Sequence, residues 1–247
     1  MATNWRETLG LWRSLVMYYG VPGRFSRMRK FYGQFIHQGD LCFDIGAHVG
    51  NRLRVWDALG ARMIAVEPQP ALLRCLQRLF GHNPRVVLVA QAIGAAPGTA
   101  TLHISTRTPT VTTLSQQWIS NVKRDASFSK VEWDQQVSVQ VTTLDALIAE
   151  HGLPVFCKID VEGFELEVLL GLSQPVPALS FEYIPASIGV ALGCIDRLEQ
   201  LGRYEYNQSP GETHQLQAER WLDAAGMRAV LRGITHHSGD VYARLLR

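Results

Sequence analysis

Apolar and polar positions follow two rhythms along this chain, and the changes of rhythm mark its elements. Leu41-Cys42-Phe43, Met63-Ile64-Ala65-Val66 and Val86-Val87-Leu88-Val89 are short unbroken apolar runs, the pattern of strands buried on both faces. A helical period through Leu53, Val55, Trp56 and Leu59, closed by Gly60, separates the first two runs. A second helix, Ala71 to Phe80, follows Pro70 and closes at Gly81. Further on, Val155 to Ile159 and Leu179 to Pro185 read as strands, with a helix from Phe164 to Gly171 between them. Period-two alternation marks Thr99 to Ser105, Val137 to Thr142, Arg203 to Asn207 and Asp240 to Leu246. Helices are expected over Leu144 to Glu150, capped by Thr142 or Thr143, over Ile195 to Leu201 and over Gln217 to Ala225.

Strands alternating with helices predict an α/β fold around a largely parallel sheet. The chain begins with an amphipathic pattern, Trp5 to Tyr19, whose apolar positions are Leu9, Trp12, Leu15, Val16 and Tyr19. Gly20-Val21-Pro22-Gly23 breaks it, and a basic helix from Arg24 to Phe35 carries Arg24, Arg27, Arg29 and Lys30. Residues 1–38 therefore read as a helical cap on a domain spanning 39–247, with 99–143 as a substrate-side insertion. The favoured reading of the cap is a packed lid with a solvated basic face. A membrane-surface role stays open, since a basic amphipathic helix binds anionic lipid.

Composition narrows the classes. Hydrophobic residues make up 47% of 247 positions and charged residues 19%, as in ordinary globular proteins, and a net charge of +2 gives no ground for a nucleic-acid partner. Cys42, Cys75, Cys157 and Cys194 lie far apart in apolar surroundings, the pattern of reduced, buried thiols. With no signal-peptide pattern and no apolar run of membrane-spanning length, a cytoplasmic protein without a transmembrane segment is expected. A homodimer is left open.

The chemistry concentrates in two stretches. In the first, Asp44-Ile45-Gly46-Ala47-His48-Val49-Gly50 is a D-x-G-x-x-x-G turn between a strand and a helix, and Glu67 ends the next strand. Strand, glycine turn, helix, strand, acid is the outline of a nucleotide-binding βαβ unit. Gly46 permits positive φ and close approach of a ligand, and the helix N-terminus offers free N–H groups. Glu67 suits the two hydroxyls of a ribose and disfavours a 2′-phosphate, while the missing G-x-G-x-x-G argues against a dinucleotide. Gln91, at the end of the third strand, is a candidate for an adenine amine.

The second stretch is Cys157-Lys158-Ile159-Asp160-Val161-Glu162-Gly163-Phe164-Glu165. Asp160 and Glu162 sit at a strand tip, where sheets of this type bind ligands, as candidate general bases or metal ligands. A lone ammonium inside a strand is costly, so Lys158 is expected to pair with Glu182 of the neighbouring strand. No clear third ligand accompanies the two acids, so a divalent metal is not predicted. The adjacent His236-His237 side chains would point apart and make no metal site.

FDIGAHVGN, AVEPQP, VTTLDALI, CKIDVEGFE and FEY, in that order over about Phe43 to Tyr183, resemble the FkbM-type methyltransferase family. The resemblance implies a Rossmann-like class I methyltransferase fold with a mixed seven-stranded sheet and helices on both faces. It also implies S-adenosylmethionine as cofactor and a hydroxyl of a small molecule, glycan or other natural product as methyl acceptor. Asp44, Gly46, Gly50 and Glu67 would then bind cofactor, and Asp160 and Glu162 would border the reaction site. Two other classes remain: a non-catalytic cofactor-binding or scaffold protein, and an NAD-dependent oxidoreductase. The missing glycine triplet speaks against the second.

Overall fold

Strands β1 (Leu41–Ile45) and β7 (Phe156–Ile159) are buried at every position and lie side by side in the middle of a seven-stranded sheet. The computed structural model describes residues 5–125 and 128–246. With β2 (Arg62–Val66), β3 (Val86–Val89), β8 (Ala178–Tyr183), β9 (Tyr204–Pro210) and β10 (Gly239–Leu245), the sheet order is β3-β2-β1-β7-β8-β10-β9. The first five strands run parallel, and β10 is antiparallel to both neighbours. This is the mixed sheet expected of a Rossmann-like class I methyltransferase. Its connections diverge between β1 and β7, which places a crevice at the carboxyl ends of those strands.

The pleat divides the core. Phe43, Ile45, Cys157 and Ile159 face one side, against α6 (Leu144–His151), α7 (Glu165–Leu170), α8 (Ile188–Leu201) and α9 (Ala224–Gly233). Cys42, Met63, Ala65 and Phe156 face the other, against α2 (Arg24–Tyr32), α3 (Asn51–Ala58) and α4 (Pro70–Phe80). All four cysteines are free and buried. Thr143 caps α6, its hydroxyl accepting the Ala146 N–H at 3.1 Å.

Strands β4 (Ala92–Ile93), β5 (Gly98–Ile104) and β6 (Gln135–Thr142) form a separate sheet, ordered β4-β6-β5. Between β5 and β6, α5 (Gln116–Val122) starts at Ser115, whose hydroxyl accepts the Trp118 N–H at 3.0 Å. Thr110, Thr112 and Thr113 of this segment reach over the crevice.

Three expectations change. The helix expected over residues 217–225 lies instead at α9, because Leu222 is held extended by reciprocal backbone hydrogen bonds with Tyr206. Asp223 then caps the helix, accepting the Gly226 N–H at 2.8 Å. The helix expected to start near Ile195 begins seven residues earlier, at Ile188. In α1 (Trp5–Tyr19) most of the apolar period faces away from the protein: Leu9, Trp12 and Val16 are exposed and only Leu15 and Tyr19 are half-buried, while Gly10 and Ser14 are buried. A Cβ on Gly10 would overlap the Thr106 carbonyl oxygen, so α1 lies flush on the insertion along its small residues.

Candidate active site

Strands β1, β2 and β7 end in register, Ile45 beside Val66 and Ile159, so the residues that follow meet at one edge. Gly46 takes φ of 85°, and a Cβ there would overlap the Asp160 carbonyl oxygen. Only glycine lets these two strand tips approach so closely. The Gly46 and Ala47 N–H groups both donate to the Val66 carbonyl at 3.0 Å. Glu67 is 5% exposed and accepts the His48 N–H on Oε2 and the Gln69 N–H on Oε1, each at 2.9 Å. Each oxygen keeps a free lone pair.

A cleft opens over this edge. Gly46, His48, Asn51, Glu67, Leu72 and Ile93 line it from the domain, and Thr110, Thr112 and Leu114 from the insertion. Of the expected cofactor residues, Gly46 and Glu67 face the cleft. Asp44 lies fully buried beneath it. Gly50 is a packing glycine, since a Cβ there would overlap the Phe80 ring of α4. Gln91 is half-buried and off the cleft wall, where Ala92 and Ile93 stand instead.

Arg52 ties the edge together. From the first turn of α3, its Nε donates to Asp44 Oδ1 at 2.8 Å, Nη1 to Asp160 Oδ2 at 2.9 Å and Nη2 to the Gly46 carbonyl at 2.8 Å. One planar guanidinium thus joins β1, the glycine turn and β7. The surrounding acids raise its affinity for its proton further, although burial opposes this.

Lys158 does not pair with Glu182. Its Nζ donates to Asp240 Oδ1 at 2.7 Å and lies 3.6 Å from Asp160 Oδ2. The cause is sheet order: β10 lies beside β8, with Asp240 opposite Glu182, and it brings an acid that the assumed pairing lacked. Glu182 is left with a buried Oε2 that has no hydrogen-bond partner.

Asp160, Glu162 and Glu182 converge, with one carboxylate oxygen from each lying within 4.8 Å of the other two. Their electrostatics differ. Burial would raise Asp160, but Lys158 and Arg52 hold it below the usual carboxylate range. Burial pushes Glu162 well above that range, and the charges of Asp160 and Glu165 add to the shift. Glu182 is likewise pushed well up by burial, then by Glu162, Asp160 and Glu165. Glu162 has φ of 54°, a costly backbone for a non-glycine residue. Its surroundings enforce that shape: Thr113 Oγ1 donates to the Glu162 carbonyl at 2.7 Å, and Glu165 Oε1 accepts the N–H groups of Val161 and Gly163 at 3.1 and 3.2 Å.

The model of the methyltransferase FkbM domain matches residues 44–186, more than half of the chain. The chain belongs to the FkbM methyltransferase family. No curated protein matches it by sequence. Among solved structures, it is similar to precorrin-6y C5,15-methyltransferase from Geobacter metallireducens, with 10% identity over 91% of this chain and 86% of that one, TM-score 0.47. An rRNA methylase from Streptococcus thermophilus shares 12% identity over 89% of this chain and 94% of that one, TM-score 0.45. The C-terminal domain of precorrin-6Y C5,15-methyltransferase from Rhodobacter capsulatus shares 14% over 89% and 88%, TM-score 0.42.

In this FkbM methyltransferase a second cavity adjoins the cleft on the side away from Glu67. Tyr18, Arg52, Asp160, Glu182 and Glu212 border both, and His214 and Asp240 border the second alone. Tyr18 comes from α1 and meets the half-buried His48 ring edge-on, with centroids 5.3 Å apart. Burial pushes His48 down to about 4, so its imidazole is neutral. Arg52 and Tyr18 escaped the sequence reading, which named Glu182 only as a partner for Lys158 and not as a neighbour of Asp160 and Glu162. For Arg52 a signal existed: a cation in the first turn of a helix opposes the dipole and calls for nearby acids.

The buried acids make the fold of this FkbM protein lose stability as pH rises towards neutrality. Burial pushes both Glu67 and Glu165 up from 4.5 to about 7. A carboxyl raised on folding gives stability that is full below the unfolded value and lost as pH rises through the folded one. The melting temperature should therefore fall between about pH 5 and 8. Glu165→Gln retains the acceptor for Val161 and Gly163 and should flatten that fall, as a calorimetric pH series would show. An equally steep fall in the variant would exclude Glu165 as a source.

Proposed function

We propose that this methyltransferase transfers a methyl group from S-adenosylmethionine to a hydroxyl oxygen of a small molecule, glycan or other natural product. The observation that supports this most is the placing of Gly46 and Glu67 in the same cleft as Asp160, Glu162 and Glu182. The cleft fits the cofactor by its donor set. Glu67 has a free lone pair on each oxygen for the two ribose hydroxyls, and Gly46 bares its backbone beside it. Apolar Leu72, Ile93 and Leu102 offer contact for the adenine. S-adenosylmethionine supplies an electrophilic methyl group.

The protein's own part is to align the acceptor, exclude water and accept a proton. Glu162 and Glu182 are better suited to the last task than Asp160. Lys158 and Arg52 keep Asp160 ionised, which makes it a weak base and a strong anchor. Glu162 and Glu182, both raised by burial and by neighbouring acids, bind a hydroxyl proton more strongly once ionised. Thr113 and Glu165, which hold the loop of Glu162, are positioning residues.

A second reading has a specific observation behind it: oxygens within 4.8 Å of one another suit a divalent cation that would acidify the hydroxyl. The cations already beside Asp160 favour proton transfer to the pair. Chelation should therefore leave turnover unchanged; loss of turnover restored by magnesium would establish the metal reading.

S-adenosylmethionine and S-adenosylhomocysteine should each raise the melting temperature, and NAD and NADP should not. Labelled methyl transfer to a panel of sugars and hydroxylated natural products tests the acceptor class. Transfer to amines alone would overturn the hydroxyl reading, and cofactor binding without transfer to any acceptor would favour a non-catalytic role.

A further inference from the structure

Among the described residues, six of the eleven large hydrophobic side chains that stand exposed lie between positions 5 and 21; the other five are scattered singly. Isolated exposed leucines and valines are normal, whereas a cluster marks an interaction surface. On α1, Leu9, Trp12 and Val16 are 47%, 65% and 57% exposed. At 3.6 residues per turn these three positions fall within an arc of about 60°, a single outward stripe. The stripe cannot turn inward. Its opposite side, Gly10 and Ser14, is seated on the insertion with no room for even one added methyl at Gly10.

Charge decides what the stripe fits. Residues 5–32 hold six basic residues, Arg6, Arg13, Arg24, Arg27, Arg29 and Lys30, against the single acid Glu7. Arg13 lies beside the stripe and is exposed, as are Arg27, Arg29 and Lys30 on α2. The two helices are tied where they meet, Arg24 Nη1 donating to the Met17 carbonyl at 2.8 Å. Two copies meeting stripe to stripe would bring two basic segments together. An acidic surface would be attracted instead. No helix among the described residues is long and apolar enough to cross a membrane. A 15-residue helix with an apolar stripe bearing tryptophan, and basic residues around it, has the make-up of one that lies in the plane of a bilayer surface.

We propose that α1 and α2 form a docking surface for an anionic lipid bilayer, with Leu9, Trp12 and Val16 entering the headgroup boundary and Arg13, Arg27, Arg29 and Lys30 facing its negative charge. Tyr18, on the inner side of the same helix, borders both cavities, so docking would hold the active-site cleft next to the membrane. The surface itself is independent of which acceptor the enzyme uses.

The test uses the full chain and sedimentation with extruded vesicles, of phosphatidylcholine alone or mixed with phosphatidylglycerol, at low and high salt. The protein should bind the mixed vesicles, release at high salt and ignore phosphatidylcholine alone. Trp12→Gln, the triple change Leu9→Gln/Trp12→Gln/Val16→Gln and the triple change Arg27→Gln/Arg29→Gln/Lys30→Gln should each weaken binding at least about tenfold. All three alter exposed positions, so melting temperatures should stay unchanged; the single and the charge variants keep the test valid if the apolar triple unfolds. No binding to anionic vesicles, or equal binding by folded variants, would overturn the proposal. So would a wild-type dimer in sedimentation equilibrium that becomes monomeric in the apolar triple while vesicles bind neither protein, which would assign the stripe to a second copy.

Discussion

Arg52→Ala is expected to destabilise this methyltransferase more than any other single change at the site. Arg52 is 6% exposed, and its guanidinium serves Asp44, Asp160 and the Gly46 carbonyl at once. Removing it leaves Asp44 buried with no cation in contact, while Asp160 keeps only Lys158 at 3.6 Å. Breaking a buried ion pair by deleting one partner costs about 3–5 kcal/mol. For a chain of this size that corresponds to a drop of roughly 10 °C in melting temperature. Arg52→Lys should fall between, because an ammonium keeps the charge but cannot span three acceptors with a planar fork. The same variants should bind S-adenosylhomocysteine poorly, since the Gly46 turn loses its anchor. A melting temperature in Arg52→Ala equal to the wild type would remove Arg52 from the centre of the site.

Glu182→Gln should do the opposite: keep the fold and lose the chemistry. Among the described residues no cation contacts Glu182, and burial together with Glu162, Asp160 and Glu165 already opposes its ionised form. Replacing it with an amide of the same shape removes that repulsion, so stability should hold or rise. If the pair accepts the hydroxyl proton, turnover at saturating cofactor should fall about 10²–10⁴-fold. The wild-type rate should also climb with pH as the raised carboxyls of Glu162 and Glu182 ionise, and the variant should lack the part of that limb due to Glu182. Single-turnover kinetics with a responsive acceptor would check both. An unchanged rate and pH profile would exclude Glu182 from proton transfer. Loss of the limb in Glu162→Gln alone would assign the base to Glu162.

The sequence carries the parallel half of the sheet plainly, because strands buried on both faces are unbroken apolar runs with glycine turns between them. It carries Gly46 and Glu67 for the same reason: Glu67 follows directly on such a run, and Gly46 lies in the turn that closes another. The acids at the tip of β7 were legible as a pair, but not their division of labour. That division depends on Arg52 and on Asp240, residues remote from Asp160 along the chain. Lys158 was visibly in need of an acid, yet the sequence could not say that β10 would insert beside β8 and supply Asp240. In α1 the periodicity correctly marked a helix and misjudged its face. An amphipathic period reports which residues share a side, and the crowding at Gly10, which sets that side outward, exists only in three dimensions.

Calorimetric titration of S-adenosylhomocysteine into the wild type and Glu67→Ala tests the central claim most directly. Glu67 would meet only the ribose, so its contacts differ little between ground and transition states and should set affinity more than rate. Losing a hydrogen bond to a charged group costs about 1.5–3 kcal/mol, a roughly ten- to hundredfold weaker dissociation constant. The account predicts that weakening in a variant that still folds and still turns over at saturating cofactor. An unchanged affinity in Glu67→Ala would contradict it.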